Sequence, residues 1–340
     1  MTNNIRNSAT SDKNNDPATN ISCDISVLVA TYHPSMEKLL VTLRSALMQR
    51  GVSIQIVIAD DGSGDDLDTA AVTAFFEKNG FTDYKIAALT KNKGTVENLI
   101  NGLNYCHGEY VKPISPGDYL YGETILRDWM NGMKKHGCIV GFADDICYSY
   151  TSSDISPENL QIVSVQTHPQ KNHGFYRNSW GYNYLIFEDL VRGATTLVNT
   201  QSMKKYLGML QNKVVYAEDN IYRLMAGAGE RAFFLGKGAV LYELGTGIST
   251  AQNDEWMKKI AADWASADEI LLADGFISDE TLRKSFIRLS EIKKSSSSIK
   301  RTIGCLRIPG KLRSITDHRL HTRYTAATVD EEYVRLIHET

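Results

Sequence analysis

The chain has little cysteine, and its cysteines are scattered. There are five among 340 residues, and no two form a C-x-x-C pair. This spacing excludes a zinc knuckle, and the odd number argues against a disulfide framework. A reducing cytoplasm is therefore the expected compartment. The five positions are Cys23, Cys106, Cys138, Cys147 and Cys305.

Long hydrophobic runs are also lacking. No apolar segment approaches the ~18 residues that span a bilayer, and the polar first residues contain no apolar core of a signal peptide. We interpret residues 1–21 as a disordered tail and expect any contact with a membrane to be peripheral. A net charge of −3 gives no indication of nucleic-acid binding. The composition, 42% hydrophobic and 23% charged, is that of a globular domain.

Buried strands and helices alternate along the first half of the chain. The run "ISVLVATY" (25–32) is apolar and β-branched, which is typical of a strand buried on both faces. Leucines at helical spacing follow, and "IQIVIAD" (54–60) is a second buried strand, so the two predict a parallel βαβ unit. Further strands are predicted at 84–90, 109–115 and 138–150. Residues up to about 150 are therefore expected to form an open α/β sheet.

The second half is predicted to be less regular. Residues 151–190 lack periodicity and are long enough to be a binding loop. Helices are predicted over 196–210 and 218–228, and a hairpin over 231–244. Helical periodicity returns from about residue 254.

Polar residues follow several of the predicted strands. Ligands of open α/β sheets bind at the carboxyl ends of strands. Each polar residue alone is as well explained by a helix cap or a turn, but four polar strand ends in succession favour a shared site. Adjacent carboxylates repel each other and are costly to desolvate, so a positive charge or hydrogen-bond donors are expected beside the acidic pair. The residues are Thr31 and Tyr32, Asp60 and Asp61, Asn92 and Lys93, and Asp118.

Two common phosphate-binding loops are missing. A dinucleotide-binding domain carries G-x-G-x-x-G after its first strand, where this chain has "ATYHPSMEK" (30–38), and no G-x-x-x-x-G-K-[ST] loop occurs. Without either loop, acidic residues that hold a divalent cation are the expected means of binding phosphates.

Three segments together resemble glycosyltransferase family 2, which has the GT-A fold. "ISVLVATYHPSMEKLLVTLRSALMQ" (25–49) followed by "IQIVIADDGSGDD" (54–66) is similar to the opening of that family, with Leu43, Ser45 and Gln49 in its helix. "NKGTVENLINGL" (92–103) resembles its next segment. The resemblance extends over about residues 24–245 and implies a mixed sheet flanked by helices. It implies a GT-A catalytic domain at 22–250 and a C-terminal helical extension at 251–340.

The resemblance implies a nucleotide site at the ends of the first strands. Asp60 and Asp61 would hold the nucleoside. The hydrogen-bond donors expected beside these carboxylates would then belong to a uracil-like base and a ribose. The nucleotide-binding residues implied in this way are Thr31, Tyr32, Asp60, Asp61, Asn92, Gly94 and Asn98.

The family's metal motif, Asp-x-Asp after the fourth strand, is only partly present. In "ISPGDYLY" (114–121), Ser115 and Gly117 stand where the acids are expected, and Asp118 remains. The resemblance implies that Asp118 binds Mn²⁺ or Mg²⁺ together with diphosphate oxygens and water. The alternative is that Asp118 only completes a Pro-Gly turn. Asp144 or Asp145 is a further candidate acid.

"YAEDNIYRLMAGAG" (216–229) resembles the family segment that carries the catalytic base. The second acid falls on Asp219, which would take the proton from the acceptor hydroxyl. The alternative is an acid that stabilises a helix N-terminus, a role that Glu218 would fill equally well. Sugar or acceptor contacts are implied for Glu218, Arg192 and Gly193, and Trp180 would either stack on a sugar ring or fill the core. Candidates for the diphosphate charge are Lys91, Lys93, Arg192, Arg223 and His173.

A basic segment lies near the end of the chain. Residues 290–325 carry nine Lys or Arg interleaved with leucine and isoleucine. Such a segment can lie on an anionic membrane surface, and a solvated helix face or an oligomer contact explains it equally well.

These features predict an inverting hexosyltransferase. It would move a sugar from a nucleotide-diphosphate donor, a UDP-sugar, to a hydroxyl of a glycan or lipid-linked glycan. The setting would be bacterial capsule or other cell-envelope polysaccharide synthesis, in the cytoplasm or at the inner face of the membrane. The alternatives are a nucleotidyltransferase and a non-catalytic member that binds sugar or nucleotide. The loss of acids at Ser115 and Gly117 favours the last of these.

Overall fold

The structure of the chain is a computed structural model. It describes residues 22–166, 180–188, 190–245, 254–294, 297–311 and 329–339. The proposed tail at 1–21, the domain boundary at residues 250 and 251, and the candidate His173 lie outside the described residues.

Within the described residues, nine strands form one mixed sheet, and its first four strands are parallel to one another. The order is β3-β2-β1-β4-β8-β6-β9-β5, with β7 paired to β6. Strands β8 and β7 run antiparallel to β6, and β9 runs parallel to it. The strands are β1 Cys23–Thr31, β2 Ile54–Asp60, β3 Tyr84–Ala88, β4 Gly108–Ile114, β5 Tyr119–Leu120, β6 Val140–Tyr150, β7 Leu160–Gln166, β8 Thr196–Asn199 and β9 Ala232–Glu243.

Helices cover the sheet, and further helices follow it. Among the described residues, no helix is both long and apolar enough to cross a membrane. The helices are α1 Met36–Leu47, α2 Thr69–Lys78, α3 Thr95–Leu103, α4 Ile125–His136, α5 Trp180–Tyr182, α6 Thr200–Leu210, α7 Asn220–Gly227, α8 Asp254–Leu272, α9 Glu280–Lys293, α10 Ser298–Leu306 and α11 Glu331–Ile337.

The predicted βαβ unit is confirmed, because β1 and β2 are parallel and buried on both faces. Alternate side chains of a strand point to opposite faces. Leu28 and Val57 enter the core on one face, whereas Val27 and Ile56 enter the core on the other. Helix α1 begins where the Ser35 side chain accepts a hydrogen bond from the backbone of Lys38, as an N-cap does.

Two predictions for the second half are wrong. Residues 232–243 form one continuous strand instead of a hairpin, and the turn-forming Gly236 (φ +68°) lies where the pairing with β6 shifts register. The helix predicted from residue 196 begins at Thr200, because Thr196–Asn199 is strand β8 in the middle of the sheet.

The helices after residue 253 share a core with the sheet. Leu271 of α8 and Phe286 of α9 are buried in the cluster that contains Leu28 and Val57. Helix α11 packs instead against the β5–β6 side, where Tyr333 joins Tyr119 in a smaller cluster. The C-terminal helices therefore contribute to the interior that supports the site.

Candidate functional site

The two carboxylates that end β2 are satisfied by the chain itself. Asp60 accepts hydrogen bonds from the Ser63 backbone at 2.9 Å and from the Ser63 hydroxyl. Asp61 accepts from the backbone N–H groups of Lys93 at 2.7 Å and Gly94 at 2.9 Å. Burial raises the pKa of Asp61, and these two donors lower it in part. The donors expected beside the pair are thus present, and they belong to neighbouring loops of the protein.

The loop that Asp61 holds makes close backbone contacts on both sides. Gly62 (φ +81°) approaches so closely that a Cβ atom there would lie 2.5 Å from the Lys91 backbone. Gly94 (φ +91°) is equally close to Val215, and the Val96 N–H donates to the Val215 carbonyl at 3.1 Å. The strand end that carries Asp61 is therefore connected through this loop to the segment that precedes Glu218 and Asp219.

The other predicted nucleotide residues surround the same strand ends. The Asn98 amide donates to the carbonyl of Ala59 at 2.9 Å and to that of Thr31 at 3.4 Å, so Asn98 fastens α3 to β1 and β2. Both Asn98 and Thr31 are buried, whereas Asn92 and Tyr32 are exposed. Tyr32 alone among these is aromatic; it is exposed, and its ring centroid lies 4.0 Å from that of His33 with the ring planes tilted by 58°.

Asp118 lies beside a second carboxylate, that of Glu243 at the end of β9. The Glu243 backbone N–H donates to Asp118 Oδ1 at 3.4 Å. One oxygen of Glu243 pairs with Lys38 at 2.5 Å, and the other, Oε2, is buried without a hydrogen-bond partner. Burial raises the pKa of Asp118 to about 7, with Lys112 opposing and Glu243 reinforcing the shift.

Glu243 occupies the space where a side chain at position 117 would stand. Gly117 has φ +97°, and a Cβ atom there would lie 2.5 Å from Glu243 Oε2. A residue other than glycine would therefore be strained and would collide with that carboxylate. The acid that the motif lacks at Gly117 has a spatial counterpart in Glu243, which comes from a distant part of the sequence.

Arg192, which directly precedes the turn Gly193–Thr195, places a positive charge near Asp118. Arg192 forms an ion pair with the buried Asp145, and its guanidinium lies 4.3 Å from the Tyr242 ring. Its positive charge lowers the pKa of Asp118. Fully buried Lys112 donates to the Ala194 carbonyl at 2.5 Å and so anchors the same turn, Gly193–Thr195.

Asp219 also contacts this turn. A Cβ atom on Gly193 would lie 2.5 Å from Asp219 Oδ1, so only glycine permits the observed approach. Burial raises the pKa of Asp219 to about 6, and a hydrogen bond from the Gly193 backbone opposes the shift. Burial and the charge of Asp219 raise the pKa of Glu218 well above its ordinary value. A pKa of about 6 leaves Asp219 largely ionised, and so able to accept a proton, near neutral pH.

The segment that carries Asp219 is held by α8. The Asp263 carboxylate accepts from the backbone N–H groups of Val215 at 3.0 Å, Tyr216 at 2.7 Å and Ala217 at 3.0 Å. Three converging donors fix a loop that has no regular secondary structure of its own. The C-terminal helices therefore help to place the candidate base.

Two sequence candidates lie away from these groups. Trp180 is buried, donates from Nε1 to the Glu230 carbonyl at 2.6 Å and packs against Phe142, so it has the core position that the sequence left as the alternative. Arg223 is buried, pairs with Asp268 and lies 4.5 Å from the Trp264 ring, which directs it towards α8.

The donor set around Asp118 fits a hard divalent cation. Such ions take carboxylate oxygens as ligands, and Asp118 and Glu243 present two carboxylates side by side. The buried and unpartnered Glu243 Oε2 is the observation that carries this fit. Lys38 already neutralises part of the charge on Glu243, so the two positive charges would compete for this carboxylate.

Sequence reasoning missed three residues that contact the candidate site, namely Glu243, Asp263 and Lys112. No motif marks them, because each acts through a contact between distant parts of the chain. A lysine within the apolar run "EYVKPIS" and an aspartate within the helical pattern of α8 were the only signals. Charged residues at otherwise buried positions are worth testing as site residues for this reason.

The comparisons with known proteins agree with this architecture. Residues 26–137 match the family model described as glycosyl transferase family 2. No curated protein sequence matches the chain. TarS from S. aureus has a similar structure, with a TM-score of 0.53 at 14% identity over 93% of this chain and 55% of that TarS chain. The structure of S. aureus TarS 1–349 gives the same score and identity over 93% and 90%.

The chain thus spans 55% of the longer TarS chain, and at 14% identity the likeness shows a shared fold. The mixed sheet flanked by helices was predicted from the sequence and is confirmed. The resemblance stated from the motifs at 25–66 and 92–103 is confirmed by the family match. Residues 26–137 are therefore similar to glycosyl transferase family 2, within a chain that has the GT-A fold.

Proposed function

We propose that this protein is an inverting glycosyltransferase that transfers a hexose from a UDP-sugar to a hydroxyl of a glycan or lipid-linked glycan. The observation that carries the proposal is the position of Asp219, which contacts Gly193. The residue before Gly193 is Arg192, whose positive charge lowers the pKa of Asp118. A candidate base and a candidate phosphate-binding centre thus flank one turn. Inversion of configuration at C1 of the sugar requires the base and the leaving diphosphate to lie on opposite sides of that carbon.

In the proposed reaction, Asp219 accepts the proton of the acceptor hydroxyl as its oxygen bonds to C1 of the sugar. The bond from C1 to the diphosphate oxygen breaks, and its electron pair leaves with the nucleoside diphosphate. Asp118 and Glu243 would hold a Mn²⁺ or Mg²⁺ ion, which stabilises the charge of the leaving diphosphate when bound. Arg192 contributes a fixed positive charge at the same place.

The nucleoside is proposed to bind at the ends of β1 and β2. Asp60 and Asp61 hold their own loops in place there, and we propose that the remaining lone pairs of their carboxylates accept hydrogen bonds from a base or ribose. Tyr32 offers the exposed ring, and Asn92 and Gly94 lie on the loop that Asp61 positions. Glu218, Arg192 and Gly193 are proposed to contact the sugar or the acceptor.

The test is sugar transfer by the Asp219→Asn variant, after a thermal-shift screen of UDP-, GDP- and dTDP-sugars has found the donor. Loss of a general base costs on the order of 10²–10⁴-fold in rate, and Asp219→Asn should show that loss with donor binding intact. Near-native transfer by this variant would contradict the proposal. Donor binding without hydrolysis or transfer by the native chain would indicate a non-catalytic binding protein. Pyrophosphate release from a nucleoside triphosphate would indicate a nucleotidyltransferase.

We also propose that α10 makes peripheral contact with an anionic membrane. Ile299, Ile303 and Leu306 are 71%, 48% and 50% exposed and lie on one face of the helix, since residues three and four apart are neighbours. Gly304 packs against Ile292 of α9 on another side. Lys300 and Arg307 flank the apolar face, which matches the arrangement of helices that bind anionic lipid surfaces.

Vesicle flotation tests this contact. The native chain should float with phosphatidylglycerol vesicles and much less with phosphatidylcholine vesicles. The double variant Ile299→Ser/Ile303→Ser should lose the binding, whereas Met257→Ser, which removes an apolar side chain of 59% exposure on α8, should retain it. Equal flotation of both variants would exclude α10 as the contact. Such a contact would bring the enzyme to lipid-linked acceptors at the inner face of a bacterial membrane, for capsule or other cell-envelope polysaccharide synthesis.

A further inference from the structure

Three side chains that bind metals in other proteins meet at the amino end of the sheet. Cys23 is the first residue of β1, His107 directly precedes β4, and Asp83 directly precedes β3. The candidate donor site lies at the carboxyl ends of the same strands. Strand β1 has nine residues, and at ~3.3 Å per residue it separates the two places by about 25–30 Å.

We propose that Cys23 and His107 bind a thiophilic divalent cation of the Zn²⁺ class, with Asp83 orienting the imidazole. In the structure, Cys23 Sγ lies 3.5 Å from His107 Nδ1. A tetrahedral ion with bonds of about 2.3 Å to sulfur and about 2.0–2.1 Å to nitrogen requires nearly the same separation, about 3.5 Å. Two ligand atoms are therefore already spaced for such an ion.

Asp83 determines which nitrogen of His107 faces the cysteine. Its Oδ1 lies 3.1 Å from His107 Nε2, so Nε2 carries the proton that it donates, and Nδ1 presents its lone pair to Cys23. A carboxylate on the far nitrogen of a metal-binding histidine is the usual second layer of zinc sites. Cys23, His107 and Asp83 each place one potential ligand atom within 4.8 Å of those of the other two residues.

The third position is supplied by Ser22 or by water. The Ser22 hydroxyl lies 2.6 Å from His107 Nδ1 and occupies the place that an ion would take. Binding therefore requires this exposed hydroxyl to move or to become a ligand, and solvent completes the coordination. The half-exposed imidazole and carboxylate leave an entry path.

The ligand type selects the metal. Thiolate and imidazole suit Zn²⁺ and related ions, whereas Mg²⁺ and Mn²⁺ prefer oxygen. The site is thus chemically distinct from the oxygen-lined pair Asp118 and Glu243.

Cobalt titration of the metal-free full-length chain tests the proposal. Co²⁺ bound to a thiolate gives a sulfur-to-metal charge-transfer band in the near ultraviolet. We expect this band to saturate at one equivalent and to disappear when Zn²⁺ is added. Cys23→Ser should lose the band, and His107→Asn should lose it or weaken binding at least tenfold. Asp83→Asn should retain the band with about 10–100-fold weaker affinity, as expected for an orienting residue.

Controls separate this site from other thiols and from the donor site. Cys305→Ser and Asp118→Asn should leave the charge-transfer band unchanged, because neither residue belongs to the cluster. Circular dichroism establishes that each variant is folded. Absence of the band in the native chain, or its persistence in folded Cys23→Ser, would overturn the proposal. Because sugar transfer is not the readout, these outcomes are independent of the proposed enzymatic function.

Discussion

Asp263 on α8 accepts a hydrogen bond from the backbone N–H of Tyr216 at 2.7 Å, two residues before Glu218. The same carboxylate also holds Val215 and Ala217. The Tyr216 ring adds a second contact with α8, lying 4.8 Å from the Trp256 ring. The position of the candidate base thus depends on an aspartate that lies 44 residues further along the chain.

Asp263→Asn should impair transfer by misplacing Asp219. An asparagine keeps the size but offers one acceptor oxygen, so at least one of three N–H groups loses its partner, at about 1–3 kcal/mol each when buried. We expect kcat to fall about 10–100-fold with donor affinity little changed, since small displacements of catalytic groups are costly. Transfer kinetics and donor titration measure the two effects separately.

Asp268→Asn is the matched control for this prediction. Asp268 lies on the same helix and pairs with Arg223, which faces away from the turn at Gly193. Its loss should lower the melting temperature with a much smaller effect on kcat. Equal losses of kcat in the two variants would show that Asp263 acts only through general stability.

Some features of the fold could be predicted from the sequence, and others could not. The strands β1 and β2 were predictable because local β-branched runs decide them, and so were hydrogen-bond donors beside Asp61, because adjacent carboxylates at a strand end require them. Strand β8 was not predictable, because its four residues directly precede a helix and resemble it in apolar character. They form a strand because they pair with β4 and β6. Glu243 and Asp263 were not accessible either, because their partners are distant in the chain.

The pH dependence of transfer should report the titration of Asp219. Burial raises its pKa to about 6, and the base acts only in its ionised form. The rate kcat/KM should therefore fall about tenfold per pH unit below about 6 and level off above it. If kcat/KM began to fall only at about pH 4, the ordinary aspartate pKa, the assignment of Asp219 as the base would be contradicted.

Glu218→Gln is the control for this pH profile. Glu218 is the neighbouring carboxylic acid, and burial together with the charge of Asp219 raises its pKa well above the ordinary value. Replacing it by glutamine should leave the acidic limb near the same pH, whereas Asp219→Asn should abolish the limb. A limb that moves or vanishes in Glu218→Gln would assign the base to Glu218.

Glu243→Gln should weaken divalent-cation binding. The carboxylate of Glu243 lies beside Asp118 and has one buried oxygen without a partner. We expect the Kd for Mn²⁺, measured by calorimetry in the absence of donor, to rise at least tenfold. Lys38→Met should have the opposite effect, because Lys38 competes for the same carboxylate. An unchanged Kd in both variants would show that Glu243 is not a ligand.

Gly193→Ala should displace the base without unfolding the protein. A Cβ atom at this position would lie 2.5 Å from Asp219 Oδ1, a separation that real contacts do not show. The carboxylate must move, and because it is the end of a flexible side chain it can do so at little cost in stability. We expect kcat to fall about 100-fold, which is the cost of a misplacement of about 1 Å, with the melting temperature nearly unchanged. Gly208→Ala on α6, where nothing lies within 4 Å, is the matched control and should keep full activity with equal or greater stability. Native kcat in Gly193→Ala would show that Asp219 need not occupy this position for the reaction.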